Sequence, residues 1–223
     1  MLVACWSVKG GSGTTVVAAA LALLMAGSAD GRAVLVDLGG DAAAALGLPE
    51  HGEGASLAEV WADTGADPAA DAAALASLAR PVGPGLELLS VGPSPTGHTA
   101  PPDAGDRLAA ALSGWDVAVV DCGPAGPVGP ALALAACSTV SLLVLRPCFL
   151  ALRRAAAAPL RPSGIIVVAE RDRALRASDV EAVVGAPVRA EVPWDPAVAR
   201  AVDAGLLASR VPRALSRALR SAA

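Results

Sequence analysis

A glycine-rich turn between two strongly apolar segments constrains the fold of this chain more than any other feature. Leu2 to Val8 is a short apolar run typical of a buried strand, and Thr14 to Met25 is typical of a helix that is apolar almost all round. The turn between them has the sequence Lys9-Gly10-Gly11-Ser12-Gly13-Thr14-Thr15. Its three glycines free the backbone to direct N–H groups at an anion beside the helix N-terminus. The segment therefore predicts a strand–loop–helix unit that binds phosphate groups.

One positive charge of the standard phosphate loop is missing from this turn. The standard loop, G-x-x-x-x-G-K-S/T, has a lysine directly after its last glycine, and here that position is Thr14. The chain has 17 basic residues, and Lys9 is its single lysine. Because arginine supplies the charge everywhere else, we infer that Lys9 stands where a compact ammonium is needed and a planar guanidinium does not fit.

Composition favours one cytoplasmic domain. The 223 residues are 54% hydrophobic, with a mean hydropathy of +0.56, which is enough to bury a sizeable core in a single domain, 1–223. The longest apolar run, Val16 to Ala26, is well short of the roughly 20 residues that span a bilayer. No basic segment precedes it, so we expect neither a transmembrane helix nor a signal peptide.

The cysteines and histidines show no metal-ligand spacing, because no C-x-x-C pair occurs and no histidine has a partner nearby. We expect buried, reduced thiols and solvent-exposed imidazoles. The residues concerned are Cys5, Cys122, Cys137 and Cys148, and His51 and His98.

Continuously apolar strands alternate with helical segments along the whole chain, which predicts an α/β fold. The expected sheet is mostly parallel, has about seven strands and is covered by helices on both faces. The expected strands are Leu2 to Val8, Arg32 to Asp37, Leu86 to Val91, Trp115 to Asp121, Thr139 to Leu145, Gly164 to Ala169 and Pro187 to Val192. Pro81 to Gly85 is interpreted as a turn, and Ser56 to Ala62 as a short helix.

Two of these strands end in a carboxylate, at Asp37 and at Asp121. Ligands bind at the carboxyl edge of open α/β sheets, so both positions are candidates for a functional role. Trp115 to Asp121 is also similar to a Walker B strand, whose terminal aspartate holds Mg²⁺.

Taken together, these motifs resemble the ParA/MinD family of deviant-Walker-A P-loop ATPases over nearly the whole chain. The family's opening motif, K-G-G-x-G-K-S/T-S/T, matches the glycine-rich turn everywhere except at the second lysine. Further resemblances lie at Val34 to Asp37, Ala44 to Leu48, Asp116 to Asp121, Arg146 to Arg153 and Val192 to Asp195.

The resemblance implies ATP or ADP with Mg²⁺ as ligand. Lys9 then corresponds to the family's signature lysine, which reaches the partner's phosphates across a homodimer. The nucleotide-binding positions are Gly10, Gly11, Ser12, Gly13, Thr14, Thr15, Pro193 and Asp195, with Pro193 in the loop that borders adenine. Thr15, Asp37 and Asp121 are the implied magnesium residues.

Three positions depart from the family pattern. Thr14 replaces the phosphate-binding lysine, Gly39 replaces the aspartate that orients the attacking water, and Glu170 replaces an asparagine that reads adenine. Such degenerate loops resemble the TadZ/CpaE branch and septum-site proteins, which are positional scaffolds. The resemblance therefore implies a slow or inactive ATPase acting in cell division, partitioning or pilus assembly.

Two other classes of function stay open. One is an active, dimerising ATPase for chromosome or plasmid partitioning, in which Asp41 is the nearest substitute for the missing carboxylate. The other is a structural partner of an active paralogue, with an empty loop.

The C-terminal third is basic, with 12 basic and 7 acidic residues from 151 to 223, against 5 and 14 before it. Its last segment, Val211 to Ser221, has leucines on one face and arginines on others. We expect this helix to dock on the domain; an anionic membrane surface or non-specific contact with DNA phosphates is the alternative. The resemblance adds a homodimer, a further protein partner and recruitment to a membrane or a cell pole.

Overall fold

Strands and helices alternate in the computed structural model, which describes residues 1–28, 31–49, 57, 68–92, 103–126, 129–220 and 222. The strands are β1 Leu2–Ser7, β2 Ala33–Asp37, β3 Arg80–Gly83, β4 Leu86–Ser90, β5 Val117–Pro124, β6 Val140–Leu145, β7 Gly164–Ala169 and β8 Val188–Pro193. The helices are α1 Thr14–Ala26, α2 Ala42–Leu46, α3 Pro68–Leu78, α4 Ala104–Ala111, α5 Pro130–Cys137, α6 Phe149–Ala156, α7 Ala177–Val184, α8 Pro196–Asp203 and α9 Arg213–Leu219. The predictions for His51 and His98 lie outside the described residues, and so does that for Ser56 to Ala62 except at Leu57.

All eight strands form one sheet, in the order β3-β4-β2-β5-β1-β6-β7-β8. Every pairing is parallel except β3 with β4, so the prediction of a mostly parallel α/β sheet is confirmed. β1 lies in the middle, between β5 and β6. The glycine-rich loop that follows β1 is therefore held at the centre of the carboxyl edge.

The predicted count of about seven strands is one too low, because β3 was interpreted as part of a turn. Arg80–Gly83 pairs antiparallel with β4, with an irregularity between Pro81 and Gly83. Proline is tolerated in an edge strand, where one side of the backbone needs no partner. The turn itself is confined to the two residues before Leu86.

Helices cover both faces of the sheet, as predicted. Alternate residues of β1 point to opposite sides: Val3 and Cys5 belong to one apolar cluster, and Ala4 and Trp6 to the other. The first cluster includes residues of α1, α2 and α9, with α8 packed against it. The second includes residues of α3, α4, α5, α6 and α7. α1, which follows the glycine-rich loop, therefore packs on one face of the sheet, and α6 packs on the opposite face.

The C-terminal helix docks on the domain, as expected. It runs over Arg213–Leu219, which is shorter than the predicted Val211 to Ser221, and it packs against β8 and α1. Leu215 and Leu219 are buried, whereas Arg213 and Arg217 are exposed. Among the described residues, no helix is both long enough and apolar enough to span a bilayer.

The cysteine prediction is confirmed in part. Cys5 and Cys122 are buried and Cys148 is half-buried, and all four are free thiols. Cys137 is exposed, which corrects the expectation of burial; it is the last residue of α5, where the helix leaves the core. The Cys148 sulfur accepts a hydrogen bond from the Ala151 amide and caps α6.

Candidate functional site

The glycine-rich loop has the backbone of an anion cradle. Gly11 and Gly13 adopt φ values of 74° and 86°, a left-handed conformation that glycine accommodates without strain. The Lys9 carbonyl accepts hydrogen bonds from the hydroxyls of Ser7 and Ser12, both at 3.0 Å, and these fix the curl of the loop. No side chain caps the N-terminus of α1, so its first N–H groups remain available to a ligand.

A cavity of about 600 Å³ opens above this loop. Because its lining includes the residues predicted to bind phosphate, we call it the phosphate cavity. Thr14, only 6% exposed, and Thr15 line it together with the glycines of the loop. The loop positions predicted to bind phosphate are thus brought together; the lining residues among them are Gly10, Gly11, Ser12, Gly13, Thr14 and Thr15.

The charge of this cavity is negative. Among the described lining residues there is no lysine or arginine, but the carboxylates of Asp41 and Asp203 both lie at its wall. Asp203 was not anticipated from the sequence. It reaches the cavity because α2 and α8 approach closely where Gly47 meets Gly205, leaving no room for a Cβ atom at either position.

The side chain of Lys9 lies outside the cavity lining. Its Nζ donates a hydrogen bond to the carbonyl of Gly10 at 3.2 Å, and the residue is partly exposed. The ammonium group therefore does not line the cavity of its own chain in this arrangement.

Two buried carboxylates lie beside the loop. Asp37 and Asp121 occupy paired positions of the parallel strands β2 and β5, and both side chains are fully buried. Asp37 accepts hydrogen bonds from the amides of Gly40, at 2.7 Å, and Ala42, at 2.9 Å. Asp121 Oδ1 accepts one from the Gly123 amide at 3.0 Å. β5 continues past Asp121 to Pro124, so the prediction that the strand ends at this carboxylate is wrong by three residues.

One oxygen of Asp121 is left without a partner. Among the described residues, no hydrogen bond reaches the buried Oδ2 atom. The Thr15 hydroxyl lies close enough to lower the pKa of this carboxyl group, but it does not form a hydrogen bond of normal geometry with Oδ2. An unpaired, buried carboxylate oxygen beside a hydroxyl matches what Mg²⁺ prefers, namely oxygen ligands.

Burial raises the pKa of both carboxyl groups. For Asp121 the pKa rises from 3.8 to about 6, chiefly through desolvation, while the Thr15 hydroxyl and the Gly123 amide oppose the rise and nearby Asp37 and Asp41 add to it. Desolvation also raises the pKa of Asp37, against the lowering effect of its backbone hydrogen bonds. A cation bound beside the pair would therefore stabilise the charged form of both carboxyl groups.

Gly39 faces these carboxylates directly. A Cβ atom at this position would lie 3.4 Å from Asp121 Oδ2 and 3.7 Å from Asp37 Oδ1. A side chain here would project into the space beside the pair, and glycine leaves that space without a functional group. The structure brings Thr15, Asp37 and Asp121 together, but among the described residues no group of three His, Cys, Asp or Glu side chains could hold a metal ion by itself.

A second cavity, of about 310 Å³, adjoins the first and is mainly apolar. Pro193 and Asp195, both predicted to border the nucleotide, line it together with Gly11, Gly13 and Trp194. One oxygen of Asp195 caps α8 by accepting a hydrogen bond from the Ala197 amide at 2.8 Å. The loop thus borders two adjoining cavities, of which the first is the more polar and the second mainly apolar, a difference that suits phosphates and a base.

Glu170 forms two ion pairs. Its carboxylate contacts the guanidinium groups of Arg146 and Arg173, and it lines a different cavity from Pro193 and Asp195. Arg146 in turn lies over the ring of Trp194, 4.7 Å from the ring centroid. The sequence did not indicate this chain of contacts, because it joins residues from three separate loops.

No protein-family model and no curated protein sequence matches this chain. Solved structures do match it. A ParA family ATPase from Chlorobium tepidum TLS is 23% identical, with a TM-score of 0.77 over 98% of this chain and 96% of its own. The septum site-determining protein MinD from Pyrococcus horikoshii OT3, solved with Mg-ADP, is 20% identical, with a TM-score of 0.76 over 99% of this chain and 93% of its own.

This chain has the ParA/MinD P-loop ATPase fold. The likeness extends to a Cyanothece McdA–ATP complex, which is 15% identical, with a TM-score of 0.66 over 99% of this chain and 95% of its own. The fold predicted from the glycine-rich loop and the strand pattern is therefore confirmed.

Proposed function

We propose that this protein is a nucleotide-binding ParA/MinD-like positional scaffold with little or no ATPase activity. The observation that carries the proposal is the contrast within one site. The loop, the buried carboxylates and the apolar cavity are all present, whereas the phosphate cavity has no basic residue among its described lining and Gly39 offers no functional group. Cell division, partitioning and pilus assembly are the processes in which we place such a scaffold.

Binding would rest on the backbone and on a metal ion. The N–H groups from Gly10 to Thr15 would surround the phosphates, and Pro193 and Asp195 would border the base. Thr15, Asp37 and Asp121 would hold Mg²⁺, which supplies the positive charge that Thr14 does not. The unpaired Oδ2 of Asp121 fits this assignment.

Hydrolysis would be slow because two contributions to it are missing. A lysine at position 14 would neutralise charge on the transferred phosphoryl group, and Thr14 has none. A carboxylate at position 39 would lie beside Asp121 and could orient water, and Gly39 cannot. Asp41 lines the phosphate cavity, but as a second acidic group beside Asp203 it adds repulsion.

A homodimer completes the proposal. Lys9 lies outside its own phosphate cavity and is partly exposed, so a lysine from a second copy is the available source of positive charge. We place its role in the partner's site, where it would neutralise phosphate charge.

Calorimetry tests the proposal. Titration with Mg-ATP and Mg-ADP should show binding, and phosphate release should stay at background. Gly11→Val should abolish the heat, since the left-handed φ of 74° strains any side chain. Gly83→Ala, in open space on β3, is the matched control and should bind as the wild type does.

Two other results would contradict the proposal. Phosphate release above background that Asp121→Ala abolishes would identify a working ATPase. No heat near millimolar nucleotide would instead favour the structural partner of an active paralogue. The acidic lining from Asp41 and Asp203 supports that second candidate, because it disfavours a polyphosphate.

A further inference from the structure

The outer face of α6 is strongly apolar at its first turn. Phe149, the only phenylalanine of the chain, is 79% exposed, and its neighbour Leu150 is 47% exposed. The inner face of the helix, Ala151, Leu152 and Ala155, is buried in the core. Phe149 and Leu150 thus contribute little to the core of their own chain, and exposed apolar groups of this size are typical of contact surfaces.

Two arginines extend this surface. Arg153 and Arg154 lie one turn after Phe149 and Leu150 on the same face, and both are exposed. Neither forms an ion pair within the described part of the chain. Arg154 Nη1 reaches the carbonyl of Val8 at 3.5 Å, so α6 lies against the segment that leads into the glycine-rich loop. We call Phe149, Leu150, Arg153 and Arg154 the α6 patch.

A surface of opposite character lies on the other side of the loop. Asp41 and Asp203 are exposed at the wall of the phosphate cavity, and no ion pair involves either among the described residues. Leu206, three residues beyond Asp203, is 51% exposed. We call these three residues the acidic rim. The rim lies at the start of α2 and at the end of α8, two helices that pack on the face of the sheet opposite to α6.

These two surfaces are complementary to each other in charge, and each carries exposed apolar groups. In a two-fold dimer any such contact is made twice, the α6 patch of each copy meeting the acidic rim of the other. Aromatic residues and arginine are also enriched in the energetically important part of protein interfaces.

We propose that the α6 patch docks on the acidic rim of a second copy, and that this contact forms without nucleotide. This inference rests on the homodimer proposed above, but the contact itself involves no atom of a nucleotide. Its apolar part is Phe149 and Leu150 against Leu206, and its ionic part is Arg153 and Arg154 against Asp41 and Asp203.

Sedimentation velocity of the full chain tests this contact. Without nucleotide, a dimer is expected at micromolar protein in about 50 mM salt and a weaker one in about 500 mM salt, because salt screens exposed charges. Phe149→Ser should be monomeric. Val183→Ser is the matched control, since Val183 is 43% exposed on α7, outside both surfaces, and its removal should leave the dimer intact.

A charge exchange identifies the pairing. The variant Arg153→Glu/Arg154→Glu and the variant Asp41→Arg/Asp203→Arg should each be monomeric, because each places like charges across both halves of the interface. Mixed in equal amounts, the two variants should form a heterodimer. Circular dichroism of each variant confirms that the fold is retained.

Several results would overturn the inference. These are a wild type that is monomeric with and without Mg-ATP, a dimer that needs Mg-ATP, and a dimer that survives Phe149→Ser. Binding of the wild type, but not of Phe149→Ser, to phosphatidylglycerol vesicles without self-association would assign the patch to lipid instead. Nucleotide titration of monomeric Phe149→Ser keeps the two proposals separate, because loss of the dimer leaves the proposed binding function testable.

Discussion

Asp37 and Asp121 are held next to each other in the core, and among the described residues neither forms an ion pair. The hydrogen bonds from Gly40, Ala42 and Gly123 satisfy three of the four carboxylate oxygens, and Asp121 Oδ2 remains unpaired. Buried, unpaired charge is unfavourable, so this position lowers the stability of the unliganded protein. Such local cost is common where a site is built for a ligand.

The pH dependence of stability follows from Asp121. Its folded pKa of about 6 lies above the ordinary 3.8, so the unfolded chain binds fewer protons between these values and stability falls as pH rises through this range. The full cost above the folded pKa is about 3 kcal/mol. Asp121→Asn should therefore raise the free energy of unfolding, in magnesium-free buffer, by roughly 1 to 2 kcal/mol more at about pH 8 than at about pH 5.

Urea unfolding at the two pH values measures this difference. Asp106→Asn, on the surface of α4, is the matched control and should shift both values equally. An Asp121→Asn difference that is independent of pH would contradict the assigned pKa.

The roles given to Thr14 and Gly39 can be tested by introducing the residues of the ParA/MinD pattern that the sequence resembles. Thr14→Lys should raise the affinity for Mg-ATP by about 10- to 100-fold, because a hydrogen bond to a charged group contributes about 1.5 to 3 kcal/mol. Gly39→Asp added to it should bring phosphate release above background, since its carboxylate would lie beside Asp121. Ser77→Lys, on exposed α3, adds the same charge elsewhere and should change neither quantity.

The sequence predicts the residues of the loop and the two buried aspartates because local motif and strand pattern are enough to place them. It does not predict Asp203 at the phosphate cavity or Arg146 over Trp194. Each of these depends on a long-range approach of separate elements, such as Gly47 against Gly205, that no short pattern encodes.

At the scale of elements, the apolar face of α9 is packed against the domain. Leu215 and Leu219 are buried against the core cluster of α1, so the apolar side needed for insertion into lipid is occupied in this structure. The arginines Arg213 and Arg217 stay exposed. Of the three predicted fates of this helix, docking is the one observed.

Leu215→Ala should lower the free energy of unfolding by about 2 to 5 kcal/mol, since it removes a buried side chain and leaves a cavity. Urea unfolding measures the loss. Arg217→Ala, on the exposed face of the same helix, is the control and should stay within about 0.5 kcal/mol of the wild type. Equal effects of the two substitutions would show that α9 does not dock in solution.

The elements that the sequence failed to predict share a physical reason. α2 spans only Ala42–Leu46, too short for a helical period to be visible among alanines and glycines. β3 contains Pro81 and Gly83, residues that indicate a turn unless a neighbouring strand offers a partner. The partner, β4, follows two residues later, and its pairing is what converts the segment into a strand.

For the whole molecule, we expect net charge to influence the binding of the proposed nucleotide. The net charge of −4, together with the acidic lining of the phosphate cavity, disfavours a free polyphosphate. Mg²⁺ should therefore be required for the nucleotide to stabilise the fold.

Thermal unfolding tests this requirement. Mg-ATP at a concentration of about 100 times its dissociation constant should stabilise the protein by about 2.7 kcal/mol and raise the Tm accordingly. ATP with a chelator should leave the Tm unchanged. Sodium sulfate at matched ionic strength is the control, and a rise of the Tm with chelated ATP would contradict the role given to the cation.

The position of Lys9 also makes this chain unusually simple to probe with a protease. With a single lysine in the sequence, a lysine-specific endoprotease has one bond to cleave, between Lys9 and Gly10, and that bond lies within the phosphate loop. Cleavage would detach β1, the central strand, from the rest of the sheet. The rate at which a nine-residue fragment appears would thus report directly on occupancy of the loop, with no label or substituted residue.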